Sequence, residues 1–218
     1  MDLKFLRIQL FYKVMGPFAA RTRRRRMAHF CEVMNIRAGM RVLDLGGQPN
    51  IWDEVPAKLD ITILNLEGIA RTTYPTHHKI DYVIGDACAV TAYGGGDFDL
   101  VFSNSVIEHV GGPAQRSAFA DEVHRLGPAY WVQTPAIHFP VEAHTGMPFW
   151  WHYPASMREK LIARWRQDLP DWTEMVEGTD IVRRAELEGL FPDARLMTER
   201  VMGIPKSYIV YKPAVPTG

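Results

Sequence analysis

Cysteine is scarce: among 218 residues only Cys31 and Cys88 occur, far apart and in no CxxC pair. That argues against a disulfide scaffold or a cysteine-based zinc site, and it fits a reducing cytoplasm. No stretch approaches the roughly 18 uninterrupted apolar residues that a membrane-spanning helix requires. The N-terminus has no apolar segment followed by a small-residue cleavage site, so no secretory signal is expected. There is no G-x-G-x-x-G, hence no evident phosphate-cradling loop for a dinucleotide. Internal repeats and low-complexity tracts are missing too, apart from an arginine run and Gly94-Gly95-Gly96.

What remains is the profile of a globular domain: 47% hydrophobic and 23% charged residues, on a chain long enough for one sizeable core. The formal net charge is zero, with 25 basic and 25 acidic side chains, but they are unevenly placed. Residues 1–30 carry eight basic residues against Asp2 alone, a net of +7, which leaves 17 against 24, or −7, for the rest. A basic arm on an acidic body points to an anionic partner without naming it. The run Arg21–Arg26 has three readings: a solvated helix face, a site for an anionic substrate group, or attachment of residues 1–26 to an anionic membrane surface, helped by Leu6, Leu10, Phe11 and Phe18.

Leu3, Leu6, Leu10 and Val14 recur at helical spacing, Gly16-Pro17 breaks the pattern, and a second helix is predicted from Ala19 to Met34. Residues 1–38 thus read as a helical cap. Beyond Gly39 come short β-rich runs: Met40–Leu45, Asp60–Leu66, Asp81–Ile84, Phe98–Phe102 and Ala129–Gln133. Near-continuous apolar strands imply a sheet covered on both faces. With a helix at Gln115–Leu126, where Phe119, Val123 and Leu126 share a side, the pattern predicts strands and helices in alternation. That is a single α/β, doubly wound, Rossmann-like domain, mostly parallel and seven-stranded. Residues 134–190 read as a lid between strands five and six: a loop at 134–154 rich in Pro, His and aromatics, a helix at about 155–167, a polar segment from Asp168 to Asp180, and a helix at about 181–190. Ala194–Val201 and Ser207–Lys212 read as an antiparallel hairpin across Gly203-Ile204-Pro205.

Ligands of open parallel sheets bind at the carboxyl ends of the strands. Here those ends carry Asp44 with Gly46-Gly47, Glu67, Asp86 and Asn104-Ser105. Glu67 follows Asp44 by 23 residues, close to the spacing at which an acid reaches a ribose diol. An acid at one strand end is often only a turn or a helix cap. Three in succession are harder to dismiss.

On these residues the sequence resembles the class I S-adenosylmethionine (SAM)-dependent methyltransferases, in particular the methyltransferase type 11 group, over residues 40–135. Asp44-Leu45-Gly46-Gly47 is similar to the motif that cradles the methionine end of the cofactor. Glu67 matches the acid that holds the ribose hydroxyls, and Asp86-Ala87 the pair at the adenine. Phe98 to His109 is similar to the strand and helix start that face the sulfonium, which implies that Asn104 and Ser105 flank it. Ala120–Leu126 resembles the helix that carries a Glu and an Arg before strand five. Two positions depart from the family's D-x-G-x-G-x-G turn, for Gln48 and Asn50 stand where glycines are usual and Pro49 lies between them.

The resemblance implies SAM as cofactor and methyl transfer to an oxygen or nitrogen of a small molecule, anionic or aromatic. Such transfer needs alignment above all, and a base if the nucleophile carries an acidic proton. Candidates are His144, oriented by Glu142 two residues before it, and His109. The loop after strand five that holds Glu142 and His144 also reads as a packed lid with a structural Glu142–His144 pair, or as a metal site from His138, Glu142, His144 and His152. No helical metal-ligand spacing supports the last, and no resident metal is expected. A nucleic-acid substrate is disfavoured by the acidic body and by Asn104-Ser105-Val106-Ile107 standing where an N/D-P-P-Y/F/W motif would fall. A dinucleotide-dependent oxidoreductase and a non-catalytic SAM-binding protein are the competing readings, and a peripheral membrane methyltransferase acting on a lipid or lipid-linked substrate is a variant of the main one.

Overall fold

The computed structural model describes residues 16, 20–69, 75–142 and 145–214. Five strands run parallel: β1 (Arg41–Leu45), β2 (Asp60–Asn65), β3 (Lys79–Ile84), β4 (Leu100–Asn104) and β5 (Ala129–Pro135). The hairpin of β6 (Arg195–Val201) and β7 (Ile204–Lys212) joins them, with β7 antiparallel to β5. The order across the sheet is β3-β2-β1-β4-β5-β7-β6, so the predicted seven-stranded, mostly parallel sheet with its antiparallel hairpin is present. The order reverses between β1 and β4, and the crevice at their carboxyl ends is where such folds take ligands.

Period-two alternation along each strand sorts the core into two layers. Leu43, Leu45, Val101, Tyr130 and Val132 face Phe119, Val123 and Leu126 of α2 (Pro113–Leu126) and Leu187 of α5 (Arg184–Leu190). Val42, Ile61, Ile63, Phe102 and Trp131 face Met27, Phe30 and Met34, which follow the helix α1 at 20–33 or lie on it. A third cluster sits outside the sheet. Trp150, Trp165 and Val176 tie α3 (Ala155–Asp168) and α4 (Pro170–Glu177) to the aromatic loop before them. Trp165 stacks within 5.2 Å of both Trp150 and Trp172. Among the described residues no helix is long and apolar enough to cross a membrane.

Three expectations differ in detail. The alternation of strands and helices fails in the first half. β1 and β2 are joined by a 3₁₀ turn, Pro49–Glu54, and the described residues between β2 and β3 and between β3 and β4 contain no helix. Pro56 explains the first of these, because it forces Val55 into extended backbone (φ −104°, ψ 112°) and stops any helix there. The polar segment from Asp168 to Asp180 contains α4. The last hairpin turns at Met202-Gly203, both at positive φ, and β7 starts at Ile204 rather than Ser207. The predicted helix from Leu3 lies outside the described residues, as do Ala19 and most of the segment proposed to touch a membrane.

Candidate active site

The turn after β1 is built from close contacts. Gly46 has φ +72°, and a Cβ there would lie 2.5 Å from Cγ2 of Val106. Only glycine tolerates that combination. Its amide donates to the Leu64 carbonyl (2.8 Å), which fastens the turn to β2. A Cβ on Gly47 would fall 1.8 Å from Oδ2 of Asp44. The Asp44 carboxylate therefore lies directly against the backbone of the turn, not out in the crevice. It is fully buried, Trp52 Nε1 donates to its Oδ2 (2.8 Å), and Oδ1 has no hydrogen-bond partner. Burial pushes its pKa up to about 7, and the Trp52 bond opposes this only in part.

Asn65, at the end of β2, donates Nδ2 to the Gly47 carbonyl (3.1 Å), while its Oδ1 is buried without a partner. Glu67 stands exposed in the turn two residues on. Asp86 follows β3, and its Oδ1 accepts from the Cys88 amide (2.8 Å), so it closes a local turn while remaining exposed. Ala87 beside it is nearly buried. The Cys88 thiol is pushed up to about 11, first by burial and then by the Asp86 carboxylate, which keeps it protonated at neutral pH.

The end of β4 is tied to both neighbours. Ser103 Oγ donates to the Leu45 carbonyl (3.2 Å). The Ser105 amide donates to the Gln133 carbonyl (2.9 Å) and its Oγ to Gln133 Oε1 (3.1 Å). These bonds hold Ser105 at φ +59°, a strained setting for a residue with a Cβ. Asn104 Oδ1 is another buried acceptor without a partner. Asp44, Gly46, Gly47, Asn104 and Ser105 thus meet at one place, with Glu67 at the neighbouring strand end and Asp86-Ala87 one strand further.

The candidate catalytic residues are less concentrated. Glu108 is buried and accepts from Thr134 Oγ1 (3.0 Å), and its carbonyl accepts from the Asp180 amide (2.7 Å). His109 Nδ1 lies 3.2 Å from Thr179 Oγ1, so the start of the segment after β4 docks on the residues that follow α4. Arg116 locks the same junction from within α2. It is buried and binds Glu186 Oε1 (2.5 Å), Asp180 Oδ2 (3.0 Å) and the Gly111 carbonyl (2.7 Å). Glu142 is nearly buried, and its Oε2 accepts from the Thr145 amide (2.5 Å), which closes its own loop. His144 lies outside the described residues. His138 and His152 approach only to 6.2 Å between ring centres, and among the described residues no three His, Cys, Asp or Glu side chains form a group that could hold a metal ion.

Thr179 also lines a cavity of about 270 Å³ with Trp150, Trp151, Arg158, Ile162 and Val176. The Arg158 guanidinium sits 5.6 Å over the Trp151 ring. Sequence reasoning missed Trp52, Asn65 and Glu108. Asn65 closes an apolar strand run beside Glu67 and was within reach of the argument that chose Glu67. The Trp52 contact depends on the 3₁₀ turn and has no signal in spacing.

Residues 59–127 match a family model described as a methyltransferase domain. No curated protein matches the chain. Solved structures with the same fold include a Haemonchus contortus phosphoethanolamine N-methyltransferase 2, which carries phosphomonomethylethanolamine and S-adenosylhomocysteine (14% identity, TM-score 0.51, 79% of this chain and 38% of that one). A second is a putative methyltransferase from an antibiotic biosynthesis pathway of Anabaena variabilis (13%, 0.54, 80% and 64%). A third is the magnesium protoporphyrin IX methyltransferase of Synechocystis with bound S-adenosylhomocysteine (11%, 0.51, 97% and 87%). The chain therefore spans less than two thirds of the length of the first two. This chain thus carries a segment similar to a methyltransferase domain over residues 59–127, and its 3-2-1-4-5-7-6 sheet gives it the fold of these solved structures.

Proposed function

We propose that this chain binds SAM at the carboxyl ends of β1, β2 and β4 and transfers its methyl group to an oxygen or nitrogen of a small molecule in the cytoplasm. The observation that carries this reading is the turn at Gly46-Gly47. Its backbone is packed against Val106 and the Asp44 carboxylate, and among the described residues buried acceptors without hydrogen-bond partners remain on Asp44, Asn65 and Asn104, at the ends of β1, β2 and β4. The unpartnered amide oxygens of Asn65 and Asn104 suit a ligand that carries an ammonium and a sulfonium. The orphaned acceptors on Asn65 and Asn104 beside the Gly46-Gly47 turn are the feature by which the residues present fit the cofactor, with Gln48 and Asn50 standing in place of the usual glycines.

Gly46 and Gly47 would hold the methionine end with backbone groups, and Asp44 would act from beneath by fixing the turn. Glu67 would accept from both ribose hydroxyls, and Asp86 with Ala87 would meet the adenine. Asn104 and Ser105 would flank the sulfonium, which supplies the methyl electrophile. This chain's contribution is alignment: holding two reactants in line and about 3 Å apart is worth roughly 7–11 kcal/mol. The strained Ser105 and the clamped β4 end provide a rigid floor for it. The acceptor would enter beside Thr179, where the Trp150 and Trp151 rings suit a planar or apolar body. His144, oriented by Glu142, is the proposed base for an acceptor that carries a proton, and His109 is the second candidate.

Calorimetric titration with S-adenosylhomocysteine, with NAD and NADP as controls, tests this. Micromolar binding of S-adenosylhomocysteine alone is expected. Binding of NAD instead, or of none of the three, overturns it. Binding without transfer from labelled SAM to any acceptor across a broad metabolite panel would instead mark a non-catalytic binding protein.

A further inference from the structure

The arginine run is not one solvated face. Arg24 turns to the 3₁₀ turn after β1, where its Nε meets Glu54 Oε2 at 3.2 Å. Thr22, Arg25, Arg26 and His29, spaced three and four apart, form a different stripe of α1. That stripe faces β6 and β7 across a cavity of about 190 Å³, closed on the sheet side by Glu199 and Arg200 among others. Lys206 stands beside it and donates to Thr22 Oγ1 (2.7 Å), and its own carbonyl accepts from the amide of Ala136, just past the carboxyl end of β5.

The charges in this cavity do not balance. Among the described residues Arg26 and Lys206 share one carboxylate: Glu199 Oε2 lies 3.8 Å from Arg26 Nη1 and 3.6 Å from Lys206 Nζ, and it also accepts from Ser207 Oγ. The Arg26 side chain is only 9% exposed, and among the described residues its Nε is a buried donor with no partner. Arg25 and Arg200 stand exposed at the rim. A buried, under-compensated guanidinium is costly to keep unless an acceptor sits against it. Burial is the chief cause that holds Arg26 and Lys206 below their ordinary pKa values. Glu199 opposes it in both, and neighbouring arginines add to it. Such groups gain from an anion.

We propose that the cavity between α1 and the β6–β7 hairpin is a binding site for a phosphate group, held by Arg26 and Lys206 with Arg25 and Arg200 closing over it. Arginine presents planar, forked donors that match phosphate oxygens, and lysine adds a point charge. The site is separate from the glycine turn, so it stands whether or not the chain transfers methyl groups. The phosphate belongs either to a soluble phosphorylated molecule or to a lipid headgroup, and the recognition chemistry is the same for both.

The test is titration of the full chain with inorganic phosphate, followed by phosphorus NMR, beside co-sedimentation with phosphatidic acid vesicles and with phosphatidylcholine vesicles as control. Saturable binding in either arm is expected. Arg26→Gln and Lys206→Gln should each weaken it about tenfold or more, while Arg21→Gln, outside the cavity, leaves it unchanged. Circular dichroism checks that each variant is folded, and the lysine variant serves if the arginine one is not. Phosphate binding alone identifies a soluble ligand. Loss of vesicle binding in the same variants identifies a headgroup. No saturable binding in either arm, or binding that Arg26→Gln and Lys206→Gln leave untouched, overturns the proposal.

Discussion

A carboxylate with no exposed surface is the residue that most directly links stability to the candidate site. Asp44 is ordinarily ionised above pH 3.8, whereas in the fold it holds its proton up to about pH 7. Between those values the folded state binds a proton that the unfolded chain has released. Stability therefore falls as pH rises from about 4 to 7 and levels off above it, by up to about 4 kcal/mol in all. Asp44→Asn keeps an acceptor for the Trp52 indole and removes the titration, so its denaturant midpoint should vary less between pH 5 and 8 than that of the parent. An equal pH dependence in both would mean that the Asp44 charge is compensated in the folded chain. Glu67 is the opposite kind of acid, exposed and uncommitted to structure. Glu67→Ala should leave the fold intact and weaken S-adenosylhomocysteine binding by about 10- to 100-fold in calorimetry, the worth of a charge-assisted pair of hydrogen bonds. His144→Ala should keep that affinity and lower turnover. Unchanged turnover would remove His144 as the base.

At the scale of elements, Arg116 is the buried side chain that ties α2 to the segment after α4. Arg116→Met removes a buried cation from between Glu186 and Asp180 and leaves Glu186 Oε1 without it. Because Glu186 and Asp180 are both partly exposed, water takes over some of their solvation, and a loss of about 2 kcal/mol in urea unfolding is expected. The parallel strands were legible because each is a short apolar run that ends in polar or glycine residues. α4 was not, although Trp172, Met175 and Val176 carry helical spacing, because eight residues opened by Pro170 resemble a loop as much as a helix. The start of β7 was missed for a related reason. Pro205 suggested a turn, yet it sits opposite Arg200 beside a register shift, one of the few places a strand accepts proline. The strand-end acids were legible as a set, but not their separate fates: one buried under a glycine turn, one exposed, one closing a local turn. Those depend on the 3₁₀ turn that brings Trp52 back to Asp44, a contact that no periodicity encodes.

For the whole molecule, the cofactor reading carries a thermodynamic consequence. A ligand at one hundred times its dissociation constant stabilises the folded state by about 2.7 kcal/mol, which for a chain of this size raises Tm by roughly 5–10 °C. Differential scanning fluorimetry with S-adenosylhomocysteine should show that rise, and Glu67→Ala should shrink it at the same ligand concentration. Among the described residues the sheet ends in two edge strands, β3 and β6; β3 pairs only with β2, and Ile84 at its end is 55% exposed. Lys79 and Asp81 on that strand, 3.3 Å apart, are charges of the kind that discourage pairing with another chain.

The sheet order also sets a timetable for synthesis. β7 lies between β5 and β6. A growing chain that has already made β6 therefore has nowhere to put it, and the hydrogen-bonding side of β5 stays open until residues 204–212 emerge. The parallel half can form as it is made, but the sheet closes only with its interior strand arriving after its outer one. A ribosome that stalls within that hairpin would release a chain with two unpaired strand flanks, a form suited to capture by chaperones or to proteolysis and unable to persist as a shortened domain.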